Sequence, residues 1–234
     1  MLAGLATSAA RSLGARSASL LSALVATMVF GWTAQAYADG LLATLLLLEF
    51  LELREGDHRA SGWLAAACAA LTKREGLVLA LIVALLVRGW RAWRPLTFSL
   101  LPGFVHAVWN GVAGLRHELD SPRFVLSDLP VRLAEIAYRS AAITWHSSTY
   151  LLVACGLVVI LWTARRRTLP SLTRDAVVVA LATSVFILLT FLVTPKPLTW
   201  HLNTALPRLA LHPAVFGVVA IFALTTPRRN PDPA

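Results

Sequence analysis

Apolar residues in this chain come in runs separated by charged, proline- or glycine-containing breaks. Eight runs stand out, near residues 18–36, 40–53, 61–71, 76–88, 96–113, 149–163, 175–194 and 210–224. A bilayer core about 30 Å thick takes about 20 helical residues per crossing. The pattern therefore predicts an all-α fold, a polytopic transmembrane helical bundle of about eight hydrophobic segments, with residues 1–234 forming a single membrane domain. Several runs are shorter than a full crossing and are expected to be tilted or continued by polar turns. The first run follows Arg11 and Arg16 without a clear cleavage site, so it reads as a retained span and not as a signal peptide.

The longest polar stretch is the outer loop 115–148. Within it Ser127-Asp128-Leu129-Pro130 predicts a helix start, with Asp128 as cap and Pro130 in the first turn. Leu129, Leu133, Ile136 and Ile143 then recur at helical spacing, with Arg132, Glu135 and Arg139 on other faces. That arrangement suits an interfacial helix lying over the bundle or among the lipid headgroups.

Composition sharpens the membrane reading. Of the 234 residues 57% are hydrophobic and only 14% charged, whereas soluble domains run near a quarter charged. The net charge of +9, from 21 Lys+Arg against 12 Asp+Glu, would suggest nucleic acid in a soluble protein, but no basic run interleaved with aromatics supports that, and nucleic acid is not an expected partner. Basic residues at helix ends instead orient membrane proteins. With a cytoplasmic N-terminus, 13 of the 21 basic residues fall on inner segments, among them Arg54, Arg88 and Arg174. Asp39, Lys73, Arg132 and Arg208 then fall outside, and the topology reads N-in, C-in, with the chemically varied face outward. Cys68 and Cys155 lie in apolar runs, lack metal-ligand spacing and read as small core residues.

Three outer blocks carry candidate chemistry. In Tyr37-Ala38-Asp39-Gly40 a single carboxylate stands at the outer end of a span. It can act as general base toward an acceptor hydroxyl or bind a divalent cation that neutralises a phosphate leaving group; equally, Asp before a helix is a good N-cap. In Leu71-Thr72-Lys73-Arg74-Glu75-Gly76, Lys73 and Arg74 suit phosphate oxygens, while Thr72 and Glu75 have capping-box spacing. In Thr199 to Arg208, Trp200 suits the membrane interface or a sugar ring, and His201 and Arg208 suit a phosphate or hydroxyl. Metalloprotease, phosphate-loop and nucleophile-elbow motifs do not occur.

Glu49 and Glu52 stand three apart on one face of the second run. Acids at a span centre cost about 2.5–3.5 kcal/mol, so they raise the question of proton or cation transport, although their place near Arg54 also allows an interfacial or ion-paired role.

Taken together, Tyr37-Ala38-Asp39 leading into a leucine-rich span, Leu71 to Gly76 opening the next helix, and Trp200-His201-Leu202-Asn203-Thr204 through Arg208 resemble the bacterial multi-span glycosyltransferases of the GT-C fold. Relatives of that family include the protein O-mannosyltransferases and the lipid A aminoarabinose transferases, and the resemblance runs from about residue 20 to the C-terminus. It implies transfer of a sugar, hexosyl or pentosyl, from a polyprenyl-phosphate donor to an acceptor on the extracytoplasmic face of the bacterial inner membrane. On this resemblance Asp39 matches an outer acidic position and Lys73 the basic residue of the turn, with His201 and Arg208 in the block before the last span. The chain departs from the family where Arg74 replaces an amide and Leu206-Pro207 interrupts a Leu-Asp pair, and no Asp or Glu precedes Asp39. The family's first acid-bearing outer loop is therefore expected from a separate polypeptide or an upstream segment, or else the chain is a relative without transferase activity. A transporter or flippase using Glu49 and Glu52, and a non-catalytic membrane scaffold, are the competing expectations. No internal repeat supports the transporter.

Overall fold

A computed structural model of the chain describes residues 7, 9–11, 37–56, 60–114, 128–165 and 168–225. Among them every regular element is helical and none is a strand, in agreement with the all-α expectation. The apolar run near 18–36 and the part of the outer loop before residue 128 lie outside the described residues. We number the helices α1 (Tyr37–Glu55), α2 (Ala60–Thr72), α3 (Arg74–Arg88), α4 (Trp93–Val112), α5 (Leu129–His146), α6 (Ser148–Ala164), α7 (Ser171–Val193), α8 (Leu198–Leu209) and α9 (Leu211–Thr225).

The runs foresee where the helices lie but overstate how many are full spans. Among the described residues two stretches are long and apolar enough to cross a membrane: α7, and the 27 residues Leu198–Leu224 that run from α8 into α9. This corrects the expectation of about eight. α1 has length enough but carries Glu49, Glu52 and Arg54, and α2 and α3 hold only 13 and 15 residues. The outer block Thr199 to Arg208 falls within helix α8.

The largest core joins α1, α2, α3, α6, α7 and α9 around Leu46, Phe50, Val83, Val179 and Phe216, with Phe50 and Phe216 edge to face at 5.5 Å. Small residues let the helices approach. The α2 residues in this core are Ala65, Ala66 and Ala69, and α6 crosses α9 with Gly156 against Ile221 and Gly217 against Val153. A second core joins α5, α7 and α8 around Ile136, Phe191 and Leu202. Thus α5 does cover the bundle, Ile136 inward and Tyr138 and Trp145 outward. Its start follows expectation in position, with Asp128 at the N-cap and Pro130 in the first turn, but Asp128 makes no side-chain cap bond.

Mid-helix hydroxyls satisfy themselves on their own helix: Thr183 donates to the Val179 carbonyl at 2.9 Å, Ser184 to Ala180 at 2.7 Å and Thr190 to Phe186 at 3.0 Å. That economy suits an apolar medium, where a free polar group is costly. Cys68 and Cys155 are exposed, not core as expected.

Polar side chains collect at the two ends of α1, Asp39 at its start and Arg54 at its end, about 22 Å apart at the usual helical rise. At the Arg54 end, Arg54 pairs with Asp175 at 3.2 Å and donates to Ser171 at 3.1 Å, and Arg88 donates to the carbonyls of Leu53 and Arg54. Glu52 pairs with Arg11, and Ser61 donates to it at 2.8 Å.

Candidate functional site

The opposite end of α1 gathers the three outer blocks. Asp39 lies in the first turn of α1, where an acid suits the helix dipole, yet it is 1% exposed and its carboxylate serves partners on other helices. Lys73 donates to Oδ1 at 2.6 Å. Arg208 Nη1 stands 3.7 Å from Oδ2, and His212 Nε2 stands 3.7 Å from Oδ1. Three residues from two distant parts of the sequence thus converge on one buried carboxylate.

Local structure explains how each arrives. Lys73 is the single non-helical residue between α2 and α3, with extended backbone at φ −155°, ψ 159°. A one-residue joint between two helices throws its side chain across the helix ends. The capping box expected there does not form: Lys73, not Thr72, is the N-cap of α3, and Thr72 donates back to the Cys68 carbonyl at 2.7 Å. In an apolar setting that bond inside its own helix satisfies the hydroxyl. Arg208 is braced by its Nε donating to the Thr204 carbonyl at 2.9 Å. Pro207 and Pro213 flank the bend from α8 into α9, and the buried Tyr150 hydroxyl donates to the Pro207 carbonyl at 2.7 Å. Four residues apart across the α8–α9 junction, where helical hydrogen bonds continue from Ala210 to Leu206 and from Ala214 to Ala210, Arg208 and His212 share one face and meet the same carboxylate.

Burial alone would raise the pKa of Asp39, but His212 and the Lys73 ammonium beside it more than offset burial and hold it at about 2, against an ordinary 3.8. A carboxyl so acidic is a weak proton acceptor at neutral pH. Its geometry is that of an anchor which aims cations. Two permanent cations face one carboxylate, and both keep exposure to the outside, 26% for Lys73 and 34% for Arg208. The arrangement can hold an anion with planar or tetrahedral oxygens.

A divalent cation does not fit here. Lys73 and Arg208 stand at the two carboxylate oxygens where it would have to bind, and among the described residues no three His, Cys, Asp or Glu side chains come together to hold a metal.

The other expected site residues fall elsewhere. His201 is buried two turns before Arg208 on α8, edge-on to Phe191 at 4.9 Å, and does not join Asp39. Trp200 is 53% exposed with the Lys196 ammonium 5.0 Å over its ring, the posture of an interfacial anchor. Glu75 is in the first turn of α3, where it complements the dipole. Tyr37 opens α1 and Arg74 opens α3; their side chains lie outside the described residues. His212 was not foreseen, though its spacing of four from Arg208, just before Pro213, was the available signal.

Beside the bend lies an apolar cavity of about 220 Å³. Ile143, Tyr150, Leu157, Leu181, Leu206 and Pro213 contribute to its walls, so the segment that carries Arg208 and His212 also lines it.

Comparison of the chain with protein-family models, with curated proteins and with solved structures finds no match.

Proposed function

We propose that the chain is a multi-span membrane protein of glycosyltransferase type that binds a polyprenyl-phosphate-linked sugar at the Asp39 end of α1, on the extracytoplasmic face, and transfers the sugar there. The observation that carries this reading is the convergence of Asp39, Lys73 and Arg208, drawn from the three blocks on which the resemblance rests. In this reading Lys73 and Arg208 hold the donor phosphate and stabilise the negative charge it gains as the sugar leaves. Asp39 orients both cations. The apolar cavity beside the bend gives room to the start of the donor's isoprenoid chain.

The same reading makes the helices too short or too charged to stand alone cross the membrane as a packed bundle, with N and C termini inside. The separate gathering of the Arg54 and Asp39 clusters supports that orientation.

The test is donor turnover. Nanodiscs holding the full chain are given polyprenyl-phosphate hexoses and pentoses with an acceptor-containing envelope extract, and released polyprenyl phosphate is measured by mass spectrometry. Lys73→Ala and Arg208→Ala are each expected to slow release by about a hundredfold, the usual cost of losing one charge-stabilising group. Undiminished release in both variants would sink the assignment.

A second reading draws on Glu49. This carboxylate is fully buried, and neither oxygen has a hydrogen-bond partner among the described residues, whereas Glu52 is engaged by Arg11 and Ser61. A proton-carrying transporter would use Glu49. Transport abolished by Glu49→Gln and untouched by Asp39→Asn would select that reading.

A further inference from the structure

The Asp39 cluster raises a difficulty for any anion that recruits Lys73. Lys73 donates to Oδ1 of Asp39 at 2.6 Å, and a lysine committed to an internal carboxylate is not free to bind a ligand. If it turns outward, a carboxylate only 1% exposed loses its closest partner, and unpaired buried charge is strongly unfavourable. Arg208 stands at the other oxygen, Oδ2, and does not relieve Oδ1.

His212 fills that gap. Its Nε2 stands 3.7 Å from the same Oδ1, too far for a hydrogen bond yet within less than an ångström of one. The ring is fully buried, and neither nitrogen has a hydrogen-bond partner among the described residues. A buried imidazole in that state is unusual, because buried polar groups are nearly always bonded. The charged and titratable groups around the shared carboxylate differ in reach: Lys73 and Arg208 are partly exposed, while His212 is sealed in. Lys73 can therefore leave for an outside ligand, and His212 cannot.

We infer that His212 is the reserve partner of Asp39: when Lys73 turns to a bound phosphate, the imidazole N–H closes onto Oδ1 and keeps the carboxylate paired. His212 is thus a positioning residue, acting on the ligand through Asp39 and Lys73. The exchange moves no proton from one residue to another, since a ring N–H at Nε2 donates to the carboxylate without being given up. The inference rests on the phosphate-binding reading of this site, deepening it with the exchange that binding requires.

The experiment measures affinity of the purified full chain in nanodiscs for farnesyl phosphate and, separately, for inorganic phosphate. Binding of both identifies the phosphate group as the recognised chemistry, and binding of farnesyl phosphate alone identifies a lipid-linked phosphate; either supports the site. His212→Leu is expected to weaken farnesyl phosphate about tenfold, the scale of one hydrogen bond to a charged group. His212→Gln, which keeps an N–H donor, is expected to stay within about threefold of wild type, a rescue that a merely structural role does not give. His212→Met, of similar bulk and without an N–H donor, serves if the Leu variant fails to fold, and is expected to weaken farnesyl phosphate to the same extent as His212→Leu. Wild-type affinity in His212→Leu, or equal losses in the Leu and Gln variants, overturns the role of His212 while binding that still depends on Lys73 leaves the phosphate site standing. No farnesyl phosphate binding by wild type overturns both.

Discussion

Asp39→Ala is expected to remove phosphate binding altogether and to lower the stability of the purified protein by about 2 kcal/mol. Breaking a buried ion pair costs about 3–5 kcal/mol when the abandoned charge stays buried. Lys73 and Arg208 are a quarter to a third exposed and can turn toward water, so the lower figure applies. Binding suffers more than stability because the two cations lose the group that aims them. Acid isolates the same contribution. The Asp39 carboxyl ionises at about 2 in the fold against an ordinary 3.8, a depressed value, so its contribution is complete above about pH 4 and fades as pH falls through about 2. The difference in unfolding midpoint between wild type and Asp39→Asn, followed in detergent by thermal denaturation, is expected to be flat from pH 8 to 5 and to shrink below pH 4. A difference that grows on acidification contradicts the placement of this charge.

Gly76→Ala is expected to have the largest effect on folding. A Cβ at Gly76 would stand 2.0 Å from the Ala69 carbonyl oxygen, 2.9 Å from its carbon and 3.1 Å from Leu42 Cδ1. Main chain cannot rotate away, so α2 and α3 must separate along their hairpin. Overpacking of a core costs about 1–3 kcal/mol where side chains can adjust, and a cost of about 3 kcal/mol or more is expected where backbone must move. Lys73 lies three residues earlier on the same joint, so folded Gly76→Ala protein should also bind phosphate poorly. Gly111→Ala is the control, since nothing lies within 4 Å of a Cβ there; it is expected to leave folding and binding intact. Yield and thermal midpoint of the two variants decide the matter, and a Gly76→Ala protein as stable as wild type would refute the close helix approach.

The turn Leu71 to Gly76 shows what the sequence carries and what it hides. Its charge between two apolar runs marked a helix joint at one face, and Lys73 does reach Asp39. Spacing also suggested a capping box, but Thr72 has a carbonyl four residues back on its own helix, and that bond wins. Gly76 looked like part of a charged turn, whereas its reason is the absent Cβ. The cysteines failed for a related cause. Helices such as α6 and α7 are apolar all round, so periodicity does not reveal which side is covered by protein. Cys155 sits on the uncovered side.

Apolar runs overstate the number of spans because a run records composition and not length of helix free of charge; α1 is 19 residues long and bears Asp39, Glu49, Glu52, Arg54 and Glu55. His212 was invisible for a different reason. A lone histidine before a proline acquires meaning only when α9 is laid beside α1, and that pairing joins residues more than 170 positions apart. His201 carried the more suggestive motif and proves to pack on Phe191.

The account stands on a phosphate held at the Asp39 end with its apolar chain along the bend between α8 and α9. Photo-crosslinking tests this most directly: a short isoprenyl phosphate bearing a photoreactive group on its chain is illuminated with the full protein in nanodiscs, and labelled peptides are mapped by mass spectrometry. The account predicts adducts on the cavity walls, around Tyr150 to Leu157 and Leu206 to Ala214, lost in the Lys73→Ala, Arg208→Ala double variant. Adducts confined to the exposed face of α4 around Phe104 and Trp109, or labelling that survives loss of both cations, would contradict it.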